Sequence, residues 1–219
     1  MTEPATGAIP FVLATRNRKK GAEMARLIAP PWEPGPLRGR LEILTLDGFP
    51  DLPETVEDAE TFAGNARKKA AEAARTLGRW VQADDSGLAV DALGGAPGVH
   101  SARYAGTHGD DEANNRKLLD DLAAVSDFDR GAAFHCALAV ADPAGAIRLE
   151  TEGACRGRVL REARGPGGFG YDPLFLIPEY HRTFGELSPL VKHQLSHRSR
   201  AFARLRPGLE RLLVSMPSR

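Results

Sequence analysis

Ala83-Asp84-Asp85-Ser86-Gly87-Leu88 places two adjacent carboxylates and a hydroxyl at the end of an apolar run, Trp80-Val81-Gln82-Ala83. The run reads as a strand, and Gly87, with Gly94-Gly95 and Pro97-Gly98 beyond it, signals a backbone leaving the sheet for a loop. In open α/β sheets ligands bind at the carboxyl ends of strands, so an acidic pair at a strand exit is a candidate metal or base site. Asp-Ser-Gly is also ordinary turn chemistry, and Asp or Ser can cap a following helix. The rest of the chain decides between the two.

A chain of 219 residues can bury a sizeable core without cross-links. Its 29 basic residues balance 29 acidic ones, so no global field favours nucleic acid and any anion site must be local. Cys136 and Cys155 are too few and too far apart for a zinc site or a redox pair. Neither a signal peptide nor an apolar run long enough to span a bilayer is read, which fits a reducing cytoplasm and no membrane partner.

Residues 1–10 read as a flexible N-terminal extension, and 11–219 as a single domain. Phe11-Val12-Leu13-Ala14 has the pattern of a short buried strand, followed by Thr15-Arg16-Asn17-Arg18-Lys19-Lys20, in which four of six residues are cationic. Met24, Leu27 and Ile28 then recur at helical spacing until Pro30-Pro31. A helix start presents free N–H groups and the positive end of its dipole, so cations added there make a site for phosphate oxygens. A solvated basic turn would look the same. Pro30 to Arg40 reads as a loop insertion and Leu41 to Leu46 as a strand. Asp51, Glu54, Glu57, Asp58 and Glu60 then lead into an Ala-rich helix from about Thr61 to Leu77, where acids suit the dipole and offer a second metal ligand.

Downstream, Asp110 to Ala124 reads as a helix with Leu118, Leu119 and Leu122 inward, and Ala132 to Ala141 as an alternating strand. Asp142-Pro143-Ala144-Gly145 turns it into a second long strand, Ala146 to Leu160, a hairpin that predicts mixed pairing. His135 on that hairpin reads as a packed residue. Gly165-Pro166-Gly167-Gly168-Phe169-Gly170-Tyr171-Asp172-Pro173 fits neither standard nucleotide loop. Its aromatics can instead offer a ring face to a base, worth ~1–3 kcal/mol in base-aromatic contacts, with Asp172 as acceptor; Phe169 as a core filler is the other reading. Ser196 reads as an N-cap that puts His197 and Arg198 in the first turn of the last helix. Cations there oppose the dipole, a local conflict of the kind that marks sites. Pro207, within the pattern of Phe202, Leu205, Leu209 and Leu213, predicts a kink or a break.

Together these stretches resemble the inosine triphosphate pyrophosphatase family, also called Ham1-like. The markers are Leu13 to Lys20, ADDSGLAVDALGGAPGVHSARYAG at Ala83 to Gly106, FHCALA at Phe134 to Ala139, GPGGFGYDPLF at Gly165 to Phe175 and LSHR at Leu195 to Arg198. The resemblance implies a cytoplasmic homodimer that hydrolyses ITP, dITP and XTP to the monophosphate and pyrophosphate with Mg2+. It implies an elongated α/β fold, a long mixed sheet flanked by helices in two lobes with the substrate in a central cleft. By motif, Thr15, Asn17, Lys19 and Lys20, in one turn with Arg16 and Arg18, hold the triphosphate; Asp85 is the catalytic carboxylate, as metal ligand or general base, with Ser86 beside the substrate. Phe169 stacks on the base, Gly170, Tyr171 and Asp172 line its pocket, and Lys192, His197 and Arg198 reach phosphate or the purine edge. Glu57 is the second metal ligand, with Glu54 as its rival.

The chain departs from the family pattern at Arg16, where glycine is usual, and at Gly64-Asn65-Ala66, where Glu-Asn-Ala is usual. Pro189, Leu190 and Val191 replace the usual acids before Lys192. A Maf-like pyrophosphatase would carry a Ser-rich, arginine-bearing loop after Leu13, which this chain lacks. A module that only senses a nucleotide has no need of a carboxylate that repels the bound phosphate.

Overall fold

The computed structural model describes residues 8–28, 35–37 and 39–214. Its strands are β1 (Ile9–Leu13), β2 (Leu41–Thr45), β3 (Trp80–Val90), β4 (Gly131–Ala141), β5 (Ile147–Val159), β6 (Phe175–Ile177) and β7 (Arg182–Thr183). Its α-helices are α1 (Arg18–Ile28), α2 (Phe62–Leu77), α3 (Asp111–Asp121), α4 (Pro189–Leu195) and α5 (His197–Val214). The strands form one sheet in the order β2-β1-β3-β4-β5-β6-β7. β1 pairs in parallel with β2 and β3, whereas β6 pairs antiparallel with β5 and β7, so the sheet is mixed as the hairpin predicts. No helix among the described residues is long and apolar enough to cross a membrane.

Three expectations need correction. The extension stops short of residue 10, because Ile9 and Pro10 stand opposite Leu41 and Glu42 as the start of β1. Pro10 is tolerated there since β3 joins β1 only from Phe11 onward, leaving one side of Pro10 unpaired by the ladder. β3 does not leave the sheet at Gly87 but runs on to Val90. Gly87 serves close approach instead: a Cβ there would lie 2.3 Å from Ser101 Oγ and 2.6 Å from the Gly98 carbonyl oxygen. Nor does Pro207 break α5, which continues through it while burying Phe202, Leu205, Leu209 and Leu213. The packing of that stripe outweighs one lost backbone bond. Residues 30–34 and 38 of the Pro-rich insertion lie outside the described residues.

The chain divides into two compact units, whose boundaries fall inside β3, β4, β5 and α5. The first comprises residues 1–85, 137–152 and 201–219. Its core sets Ala66, Ala70, Ala73 and Ala74 of α2 against Val12, Val81, Ala83, Ala137 and Ala139 of the strands. Small side chains on both surfaces let the helix lie close to the sheet. Thr61 caps α2 by accepting the Gly64 N–H, and Gly78 ends it in the left-handed conformation. The second unit comprises residues 86–136 and 153–200. Phe134, Phe175 and Phe184 form its centre, with Leu88, Leu118 and Leu122 packed around them.

Candidate functional site

In the first unit, chemistry gathers where β1 ends and β3 continues. The last residue of β1 opposite β3 is Leu13, facing Gln82, so Asp84 and Asp85 extend beyond the carboxyl end of their parallel neighbour. That is the crevice position of an open α/β sheet, reached in mid-strand rather than at a strand exit. Alternation along β3 sends the two acids to opposite faces. Asp85, in phase with Val81 and Ala83, meets α2; Asp84 meets Lys20 of α1, with 3.9 Å between Nζ and Oδ2.

The Asp85 carboxylate is held at both oxygens. Asn65 Nδ2 donates to Oδ2 at 3.1 Å, and Lys69 Nζ donates to Oδ1 at 3.1 Å and to Glu57 Oε1 at 2.9 Å. Asn65 and Lys69 are one turn apart on α2 and so share a face. Asn65 is fully buried and its Oδ1 accepts the Ala59 N–H at 3.0 Å, which ties the Glu57-bearing segment to Asp85. Lys68 adds a second tie through Asp58, at 2.7 Å. Gly64 also fits here: a Cβ on it would stand 2.7 Å from Ala59 Cβ, so the residue without a side chain makes room for Ala59. Exposed Glu54, the rival to Glu57, is not part of this cluster.

Burial pushes the Asp85 carboxyl above its ordinary value, more than the Lys69 charge pulls it down, and Glu57 adds like-charge repulsion. Burial alone would lower the Lys69 ammonium, yet Asp85, Asp84 and Glu57 together outweigh it and hold that group above its ordinary value. The asymmetry is physical: Lys69 faces three carboxylates, while Asp85 shares one ammonium.

The basic turn contributes a helix start. Asn17 acts as the cap of α1, its Oδ1 accepting the Lys20 N–H and its backbone carbonyl the Gly21 N–H. Thr15 Oγ1 in turn accepts the Asn17 N–H. Arg18, Lys19 and Lys20 thus occupy the first turn, with no acid there to offset the dipole. Arg18 faces Asp47 at 3.5 Å, and Arg16 turns away to donate to the Leu52 carbonyl at 2.6 Å. Arg16 therefore braces the turn.

In the second unit, the glycine-rich loop is pinned by its own side chains. Asp172 Oδ2 accepts the Phe169 N–H at 2.8 Å and pairs with Lys192 Nζ at 2.5 Å. The same ammonium stands 4.7 Å from the centre of the half-buried Phe169 ring. Tyr171 is a core residue, its hydroxyl donating to the Ser101 carbonyl and its pKa pushed up by burial. Ser196 Oγ accepts the Ser199 N–H, the expected cap of α5. Buried His197 stacks on Phe134, with centroids 4.9 Å apart, and buried Arg198 donates from Nη2 to Ser86 Oγ at 3.0 Å. Lys192, Asp172 and Phe169 are thus brought together, as are Arg198 and Ser86.

Asn65 and Lys69 are the residues that sequence reasoning passed over. Their one signal is a polar amide and a cation on the alanine face of α2, at positions that a purely structural stripe would fill with small apolar residues.

Residues 11–208 match the model of the Ham1 family. A dITP/XTP pyrophosphatase of Rhodopirellula baltica is 54% identical over 94% of this chain and 95% of its own length. One from Geobacillus kaustophilus is 50% identical over 89% and 91%. Among solved structures, a HAM1 protein from Coxiella burnetii superposes with a TM-score of 0.81 at 38% identity, covering 93% of this chain and 99% of the other. The nucleoside-triphosphatase / dITP/XTP pyrophosphatase of Mycobacterium abscessus gives 0.72 at 42% identity, covering 91% and 100%. A sheet of this order, an acidic cluster beyond the end of β1 and a family match across 11–208 lead to one conclusion: the chain belongs to the Ham1 family.

Proposed function

We propose that this protein hydrolyses ITP, dITP and XTP to the nucleoside monophosphate and pyrophosphate, removing abnormal purines from the nucleotide pool. The observation that carries the reading is the convergence of Glu57 and Asp85 on one cationic point, in the same unit as the cationic start of α1. The activity printed for the relatives, dITP/XTP pyrophosphatase, supports it.

Lys19, Lys20 and the free N–H groups of α1 hold phosphate oxygens, with Thr15 and Arg18 in the same turn. The long Lys20 to Asp84 pair is one that a phosphate oxygen can replace. Asp85 takes a proton from the attacking water, a task helped by a carboxyl raised above its ordinary value. The water oxygen bonds to the α-phosphorus as the bond from that phosphorus to the bridging oxygen breaks, and the electron pair leaves with pyrophosphate.

Two carboxylates converging within 3.1 Å of one ammonium are a hard-oxygen donor set that suits Mg2+, which binds through one or two carboxylates plus substrate phosphate and water. Asp85 and Glu57 would hold it. When bound, Mg2+ supplies charge neutralisation at the phosphates.

Phe169 stacks on the purine, with Gly170 and Asp172 beside it. Donors such as Arg198, Lys192 and His197 favour the six-position oxygen of hypoxanthine and xanthine and leave the amino group of adenine unpaired. The assembly that accompanies this reading is a cytoplasmic homodimer.

Chelation tests the metal. Pyrophosphate release from dITP should stop in EDTA and return with Mg2+, and Glu57→Gln should raise the Mg2+ concentration for half-maximal rate at least about tenfold, as expected for losing one charged ligand. A full rate in EDTA would contradict the reading.

A further inference from the structure

Two side chains of α3 grip the same residue of the aromatic loop. Asp111 Oδ2 accepts the Gly170 N–H at 2.7 Å, and Asn115 Nδ2 donates to the Gly170 carbonyl at 3.0 Å. The two are four residues apart, one helical turn, so both reach the loop from one side of the helix.

The pattern of α3 does not call for an amide at 115. Leu118, Leu119 and Leu122 form the inward stripe, and Asn115 stands three, four and seven residues before them, where an apolar residue would pack. Its Oδ1 is buried and makes no hydrogen bond, a cost that an apolar residue would avoid. What the amide gains is the bond to Gly170. A position that breaks the local pattern for one specific contact is the kind that serves a site.

Gly170 needs an external hold. Its φ is +60°, a conformation that glycine adopts freely, and it has no side chain of its own to anchor it. It links Phe169, whose N–H is held by Asp172, to Tyr171, whose hydroxyl is anchored on Ser101. The Gly170 N–H belongs to the peptide that follows Phe169, whose carbonyl also accepts the Asp172 N–H at 3.3 Å, so Asp172 and α3 together set the backbone that carries the Phe169 ring.

We infer that Asp111 and Asn115 are positioning residues for base recognition: by clamping Gly170 they fix the ring face of Phe169. The inference rests on the proposed stacking of the purine on Phe169. Loss of the clamp should weaken binding that depends on the base and leave phosphate binding and chemistry alone.

The test compares Asn115→Leu, Asp111→Ala and Phe169→Ala with the parent chain. It measures kcat and KM for dITP with Mg2+, inhibition by tripolyphosphate, which has no base, and melting temperature. Asn115→Leu should raise KM about tenfold, within the range that small misplacements cost, while kcat and the tripolyphosphate inhibition constant stay within about twofold. Asp111→Ala, an exposed position, should show the same split and carries the test if Asn115→Leu does not fold. If Phe169→Ala raises KM and both clamp variants match the parent, the inference is overturned. Equal losses for dITP and tripolyphosphate would reduce the clamp to a structural role and overturn it too. An unchanged KM in Phe169→Ala would instead overturn the stacking reading, and the inference with it.

Discussion

Asp84 and Asp85 are adjacent in the chain, yet the period of a strand gives them different work. Asp85 faces the amide and ammonium of α2, and its carboxyl is raised by burial. A group whose folded pKa exceeds its unfolded value adds stability below the unfolded pKa and loses that contribution as pH rises through the folded one. Above that folded pKa the ionised, buried carboxylate is thus a cost to stability. Asp85→Asn should lower dITP turnover by about a hundredfold or more, as for removal of a general base, while the metal-free variant unfolds at no less urea than the parent. Normal turnover would remove Asp85 from the mechanism, and a lower urea midpoint would contradict the dominance of burial. The acidic pair was legible in the sequence as a short stretch of unusual composition. Asn65 and Lys69 were not, because they become partners of Asp85 only when α2 and β3 are brought face to face.

Among the elements, β3 differs most from its sequence pattern. Glycine after Asp-Asp-Ser has the look of a turn, but the strand continues because Gly87 admits Gly98 and Ser101 against its backbone. Ser101 Oγ already donates to the Gly98 carbonyl at 2.6 Å and accepts the Leu88 N–H at 2.9 Å, so it has little freedom to yield. Gly87→Ala should therefore cost about 1–3 kcal/mol, the usual range for overpacking, read as a lower urea midpoint; an unchanged midpoint would show that the loop can move aside. Helix α2, the β4–β5 hairpin and the cap of α5 were legible, since each depends on near neighbours in the chain: Thr61 with Gly64, Asp142 with Ala146, Ser196 with Ser199. The span of β3 and the passage of α5 through Pro207 were not, because distant packing overrides the local signal in both.

At the scale of the whole molecule, the chain assigns chemistry by unit. The carboxylates, Lys69 and the cationic turn belong to the first, and the aromatic loop with Lys192, His197 and Arg198 to the second; Asp85 ends one segment and Ser86 begins the next. The grip of α3 on Gly170 escaped sequence reading for the same reason as Lys69, since Asp111 and Asn115 meet the loop more than fifty residues along the chain. The proposed function rests on a hydrogen-bond pattern at the base that decides which triphosphate is cleaved between its α and β phosphorus atoms. Its most direct test is a panel of dITP, XTP, ATP and GTP with Mg2+, in which pyrophosphate and inorganic phosphate are assayed separately. Pyrophosphate is the expected product, with dITP or XTP preferred over ATP by at least about a hundredfold in kcat/KM; inorganic phosphate as the product, or equal rates on dITP, XTP and ATP, would contradict it.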